Sequence, residues 1–244
     1  MKNDNIFGFQ AVREALRSEQ SIQKILVRTG SQGQSIQEIV REAREKGIPL
    51  QYVPDEKLAK LTDQNHQGII ALISPVAYFD IEDILIKITE SKLIPLIVVL
   101  DGITDVRNFG AIVRTAECAG CHAVLIPESG GASITPDAIK ASAGALNHLP
   151  ICRYKHIKDI IILLKQYGIT VVAATEKTQE VLFEHDFVKP TALILGAEGF
   201  GVSAAALKAA DSLLSIPMYG KLASLNVSVS ASLFIYEAIR QRRT

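Results

Sequence analysis

Residues 96–110 read LIVVLDGITDVRNFG: five apolar residues in a row, then an aspartate and a glycine, then a polar loop. A strand with one solvated face alternates apolar and polar residues, whereas a run without alternation belongs to a strand covered on both faces. Three more runs of this kind lie at 123–126, 170–174 and 192–195, with stretches of helical apolar spacing between them. Such strands, separated by helices, build a parallel sheet with helices on both of its faces. Upstream, Asp80 is placed to cap a helix whose inner face is Ile81, Ile84, Leu85 and Ile88. Downstream, the spacing predicts a last helix over 227–240, with Val229, Leu233 and Tyr236 on one side.

The N-terminal third has its own α/β pattern. Val12, Ala15 and Leu16 recur at helical spacing, and 24–28 reads as a strand. Ile36, Ile39, Val40 and Ala43 form an i, i+3, i+4, i+7 stripe that Gly47 ends. A strand at 50–53, a helical turn from Asp55 and a strand at 68–73 complete the unit. The segment 74–78 (SPVAY) closes it, because a proline there stops strand pairing. The expected division is therefore 1–76, a linker at 77–79, and 80–244.

Composition narrows the function classes. The chain has 244 residues, 48% of them apolar, and Lys plus Arg equals Asp plus Glu at 26 each. A balanced charge argues against an indiscriminate polyanion coat but leaves room for a local basic surface. No apolar run reaches the roughly 18 residues of a membrane span. The first ten residues lack the apolar core of a secretory signal, and three cysteines make no disulfide framework, so a reducing cytoplasm is expected. Cys118-Ala119-Gly120-Cys121-His122 matches a haem-attachment pattern. Haem attachment needs an exported chain and zinc needs two more nearby ligands, so packing is the preferred role and no metal is expected.

Three polar loops follow successive apolar strands, the usual ligand position in an α/β sheet. The first runs 101–110, where Asn108 is placed to cap a helix and Arg114 to stand about one and a half turns along it. The second, 196–201, reads GAEGFG; its spacing is G-x-x-G-x-G rather than the dinucleotide G-x-G-x-x-G. Backbone there must approach a ligand or another segment closely, unless the loop is a plain tight turn, and a helix enters at Val202 or Ser203. The third follows a strand at 214–216. If 224–226 is extended, Ser224 and Asn226 face one way and Leu225 the other.

Taken in order, Asn108-x-Gly110-x-x-x-Arg114-Thr115, then Gly196-Ala197-Glu198-Gly199-x-Gly201, then Ile216-Pro217-Met218 with Ser224-Leu225-Asn226-Val227-Ser228-Val229, closely resemble the three motifs of the SpoU (TrmH) family. These are RNA ribose 2′-O-methyltransferases of the SPOUT superfamily. Phe7-Gly8-Phe9-Gln10-Ala11-Val12 and His66-Gln67-Gly68-Ile69-Ile70-Ala71 resemble that family's substrate-binding domain, similar to small ribosomal-protein RNA-binding modules.

The resemblance implies a fold and a chemistry. It implies a C-terminal methyltransferase domain with a deep trefoil knot and a parallel sheet, beside a small N-terminal α/β RNA-binding domain. It implies S-adenosylmethionine as cofactor, held by backbone groups at Gly196, Ile216 and Leu225. Family catalytic positions fall on Asn108, Arg114, Glu198, Ser224 and Asn226. The implied partners are RNA, with a guanosine of 23S ribosomal RNA as target, and a second copy of the chain in a homodimer, with no membrane and no metal. A transfer-RNA enzyme and an inactive ribosome-assembly factor of the same fold are the alternatives. The sequence departs from the family at Val106, where a proline is common, and at Ser230, where an alanine is common. Because a guanidinium sheds its proton only above about pH 12, Arg114 reads as a phosphate anchor and alkoxide stabiliser rather than a base. His66 and His122 fall outside the motifs and are expected to be structural or RNA-contacting.

Overall fold

The computed structural model describes residues 5–18 and 20–243. They form two compact units divided between Ala77 and Tyr78. The first contains β1 (Ile6–Phe7), α1 (Phe9–Arg17), β2 (Ile22–Arg28), α2 (Gln34–Glu45), β3 (Leu50–Val53), α3 (Asp55–Ala59) and β4 (Ile69–Ile73). Its sheet runs β1-β4-β2-β3, with β4 antiparallel to β1 and β2, and β3 parallel to β2 at the edge. The α1 and α2 faces, Val12, Ala15, Leu16, Ile36, Ile39, Val40 and Ala43, pack on Ile25, Val27, Ile69 and Ala71. The opposite sheet face covers a smaller cluster of Leu26, Val53, Leu58 and Ile70.

The second unit contains β5 (Tyr78–Phe79), α4 (Ile81–Glu90), β6 (Leu96–Asp101), α5 (Val106–Cys118), β7 (Ala123–Pro127), α6 (Pro136–Ala141), β8 (Ile151–Tyr154), α7 (Ile157–Gln166), β9 (Thr170–Ala174), β10 (Thr191–Gly196), α8 (Ala204–Ala209), β11 (Ser212–Leu214) and α9 (Val227–Arg242). Its seven strands, in the order β11-β9-β10-β6-β7-β8-β5, are all parallel. Leu96 to Leu100 are almost entirely inaccessible, as their unbroken apolar run requires. The pairing of β6 with β10 sets Asp101 opposite Gly196, so the loops that follow both strands leave the sheet at the same level.

Three local expectations change. The connector 77–79 is not a free linker, because Tyr78 and Phe79 pair with Ile151 and Cys152 as the edge strand. Pro75 stands before the strand, where no ladder bond is lost. The cap of α5 is Asp105, whose Oδ1 accepts the Asn108 N–H at 2.8 Å; Asn108 is the third helical residue. That earlier start puts Arg114 more than two turns into the helix. The strand expected at 214–216 ends at Leu214, with Ser215 making a single bridge to Val181. Along α9, Val229, Leu233 and Tyr236 share one side as expected, and that side is exposed, while Val227, Ala231, Phe234, Ile235 and Ala238 are buried.

The C-terminal end of α9 is tied down by polar contacts. Arg242 donates to the backbone carbonyls of Phe187, Lys189, Ile94 and Pro95. Gln241 donates to the His185 carbonyl and accepts from the Phe187 N–H. Two stretches of irregular backbone are thereby satisfied by one helix end.

Candidate active site

The loop after β10 is built around a close crossing of its own backbone. A Cβ at Gly196 would lie 2.0 Å from the Gly201 carbonyl carbon and 2.1 Å from the Val202 nitrogen, so no side chain fits there. Gly201 donates to the Ala197 carbonyl at 2.8 Å, closing a tight reversal in which Gly199 (φ +83°) and Gly201 (φ +70°) take left-handed backbone. The Ser203 N–H then donates to Asp101 Oδ2 at 2.8 Å, tying the loop to the end of β6. Ser203 caps α8 through its hydroxyl, fixing helix entry at the second of the two positions expected.

Asn226 joins the three loops. Its Nδ2 donates to Asn108 Oδ1 at 3.0 Å and to Glu198 Oε1 at 2.6 Å. Its Oδ1 accepts both the backbone N–H (2.9 Å) and the hydroxyl of Ser228, which makes it the cap of α9. An asparagine side chain has two donor hydrogens and two acceptor lone pairs, and all four are used. Asn226 therefore organises the site and has no hydrogen-bonding capacity left for a ligand. The expectation that Ser224 and Asn226 offer a matched pair of polar groups is corrected accordingly. Ser224, exposed on the same wall, has no hydrogen bond among the described residues.

Beside this cluster lies a cleft of about 590 Å³ over the ends of β9, β10 and β11, a size usual for small-molecule sites. Gly196, Glu198, Ile216, Ser224, Leu225 and Asn226 all line it. Asn108 reaches it only through Asn226. Arg114 does not line it; it stands exposed on α5, without an ion pair among the described residues. Sequence reasoning missed Thr175, Glu176 and Lys177 on the far wall, and Ser230 and Phe234 of α9. The first three follow a buried strand just as the motif loops do, which was the available signal. The walls combine leucine, isoleucine and phenylalanine side chains with hydroxyls and loop backbone. That mixture fits a flat base, a hydroxylated sugar and a cationic sulfonium, and S-adenosylmethionine carries all three.

Within the Cys118–His122 segment, Cys121 is buried whereas Cys118 is exposed. Burial pushes the Cys121 and Cys152 thiols up to about 12, so both stay protonated near neutrality. His122 Nδ1 accepts the Leu96 N–H at 3.2 Å, and burial holds its pKa below the usual value, so it is a neutral structural acceptor. His66 Nδ1 accepts the Gly68 N–H within its own turn.

The sequence profile of the SpoU rRNA methylase family matches residues 95–236, and that of the RNA 2′-O ribose methyltransferase substrate-binding domain matches 5–79. A Bacillus subtilis (strain 168) chain assigned to the TrmH family of tRNA/rRNA methyltransferases, YacO, is 33% identical over 241 residues, covering 99% of this chain and 97% of its own. Among solved structures, an RNA 2′-O ribose methyltransferase is 30% identical, with a TM-score of 0.57 over 98% of this chain and 89% of its own. The SpoU methyltransferase AviRb of Streptomyces viridochromogenes, in complex with AdoMet, has the same fold, with a TM-score of 0.63 at 24% identity over 98% of this chain and 90% of its own.

The fold and site are those of a methyltransferase built on a parallel α/β sheet. The chain belongs to the SpoU rRNA methylase family. It is an S-adenosylmethionine-dependent RNA methyltransferase of the TrmH/SpoU type.

Proposed function

We propose that this chain methylates a ribose 2′-hydroxyl of 23S ribosomal RNA, at a guanosine, acting as a cytoplasmic homodimer. The observation that carries the reading is the junction at Asn226, which ties Glu198, on the wall of a cofactor-sized cleft, to Asn108 outside it. In this reading, backbone at Gly196, Ile216 and Leu225 holds the cofactor, and the chain crossing around them is the family's trefoil knot. Residues 1–76 present the RNA. The exposed Val229, Leu233 and Tyr236 side of α9 supports a homodimer, since exposed apolar side chains lose least when a second copy covers them.

When bound, S-adenosylmethionine supplies an electrophilic methyl group, so the chain's own task is alignment and the handling of one proton. Asn226 fixes the Glu198 carboxylate and Asn108 relative to the cleft. Ser224 shapes the wall beside them. Arg114, exposed and without an ion pair among the described residues, anchors a phosphate of the RNA and steadies negative charge on the 2′-oxygen as that oxygen takes the methyl group and its proton passes to water.

Mapping ribose methylation in ribosomal RNA from cells with and without the protein tests the reading. A single 23S guanosine should lose its methyl group in the deletion and regain it on complementation. An unchanged 23S map, or a loss confined to transfer RNA, would overturn it.

A further inference from the structure

We propose that a groove between α2 and β3 in the N-terminal unit binds an unpaired nucleotide of the RNA substrate, with its base on Tyr52 and its phosphate on Arg41 and Arg44. The groove has a volume of about 410 Å³. Its floor is apolar, made by Ile36 and Val40 of α2, both buried. One wall is Tyr52, which stands 51% exposed on the edge strand β3. A large aromatic left half in water on a sheet edge, beside a ready-made hollow, offers a platform for a flat π-system.

The rim supplies the charge. Arg41 and Arg44 are separated by three positions on α2 and so share one side of the helix. Arg44 makes no ion pair among the described residues. Arg41 lies 3.8 Å from Glu45, with both side chains largely exposed. Such an exposed pair is weak and gives way to a phosphate, to which a guanidinium donates in bidentate fashion. Glu45 also lines the groove and competes with the phosphate for Arg41, so Arg44 is the stronger of the two phosphate contacts. An aromatic platform beside guanidinium groups is the combination that holds single-stranded nucleic acid, whereas a duplex hides its base faces. The inference rests on the RNA substrate of the proposed function and places one contact of that substrate on the unit matched by the substrate-binding profile.

The test uses the full chain and a short fluorescein-labelled oligoadenylate, free or as its duplex with oligouridylate, read by fluorescence anisotropy. The single strand should bind more tightly than the duplex. Tyr52→Ala should weaken single-strand binding on the order of tenfold, and Tyr52→Phe should leave it near wild type because the ring is kept. Arg44→Gln should weaken it and reduce the salt slope by roughly 0.7, as for one lost phosphate contact. Adenosylhomocysteine affinity should be the same in every variant, which shows that the cofactor unit is intact. Wild-type protein that ignores the single strand, Tyr52→Ala that binds like wild type, or a change of oligomeric state in Tyr52→Ala each overturns the groove. The last outcome assigns it to a second copy instead. Because anisotropy does not read methylation, an unchanged 23S map with these binding results intact overturns only the proposed function.

Discussion

Asn226 and Glu198 stand 2.6 Å apart, amide nitrogen to carboxylate oxygen, although 28 positions separate them in the chain. The same amide caps α9 through its oxygen. One side chain thus performs two separable tasks. Asn226→Ala should lose both, with a cap penalty of about 1 kcal/mol in stability and a fall in turnover on the order of a hundredfold. Asn226→Asp keeps the cap but sets a second carboxylate against Glu198. It should melt closer to wild type than the alanine variant and still turn over no faster. Thermal melts paired with single-turnover assays check this; full activity in Asn226→Asp would dismiss the junction as a catalytic element.

Arg114→Ala should lower single-turnover rates on the order of a hundredfold at saturating RNA and cofactor. Adenosylhomocysteine affinity should barely change, because Arg114 lies outside the cleft walls. Arg114→Lys should recover little, since a point-charge ammonium lacks the planar fork. Unchanged turnover in the alanine variant would strike Arg114 from the catalytic residues.

Gly196→Ala should abolish cofactor binding, as its methyl group would overlap the Gly201–Val202 backbone. Gly199→Ala meets no atom within 4 Å and carries only the cost of left-handed backbone, about 1 kcal/mol. Calorimetry with adenosylhomocysteine should therefore rank Gly199→Ala far above Gly196→Ala. Equal affinities would show that the crossing does not shape the site.

The three thiols should react unequally. Cys118 is exposed, while burial keeps the Cys121 and Cys152 thiols protonated up to about pH 12. A disulfide reagent at mildly alkaline pH should titrate one thiol per native chain and all three after denaturation. Rapid modification of a second thiol in the native state would contradict the burial described.

The sheet was legible because its strands are buried on both faces, so the runs at 96–100 and 192–195 carry the signal alone. β1 and β5, each two residues long, have no such signature and exist because a neighbouring strand offers an edge. Asn108 was misread as a cap because Asp105 also lies near the helix start, and which acceptor reaches a free N–H is settled by backbone geometry. The cleft-lining loops could be read from their position after apolar strands. The saturation of Asn226 could not, because it depends on Ser228 turning back onto the same oxygen that a ligand would otherwise use. The far wall at 175–177 carried the same positional signal, after the apolar run at 170–174, but lies outside the motifs of the resemblance.

Arg242 clasps carbonyls at Ile94, Pro95, Phe187 and Lys189 from a position 147 residues beyond Pro95. Such a clasp has a kinetic consequence: the C-terminal unit cannot complete its packing until Arg242 has emerged from the ribosome. The N-terminal unit closes its own sheet within the first 77 residues and is free to fold while synthesis continues. Contacts so distant in sequence also form slowly. Each molecule therefore passes through an interval in which its RNA-reading half is finished and its catalytic half is open. During that interval the nascent chain can already engage RNA that it is not yet able to modify.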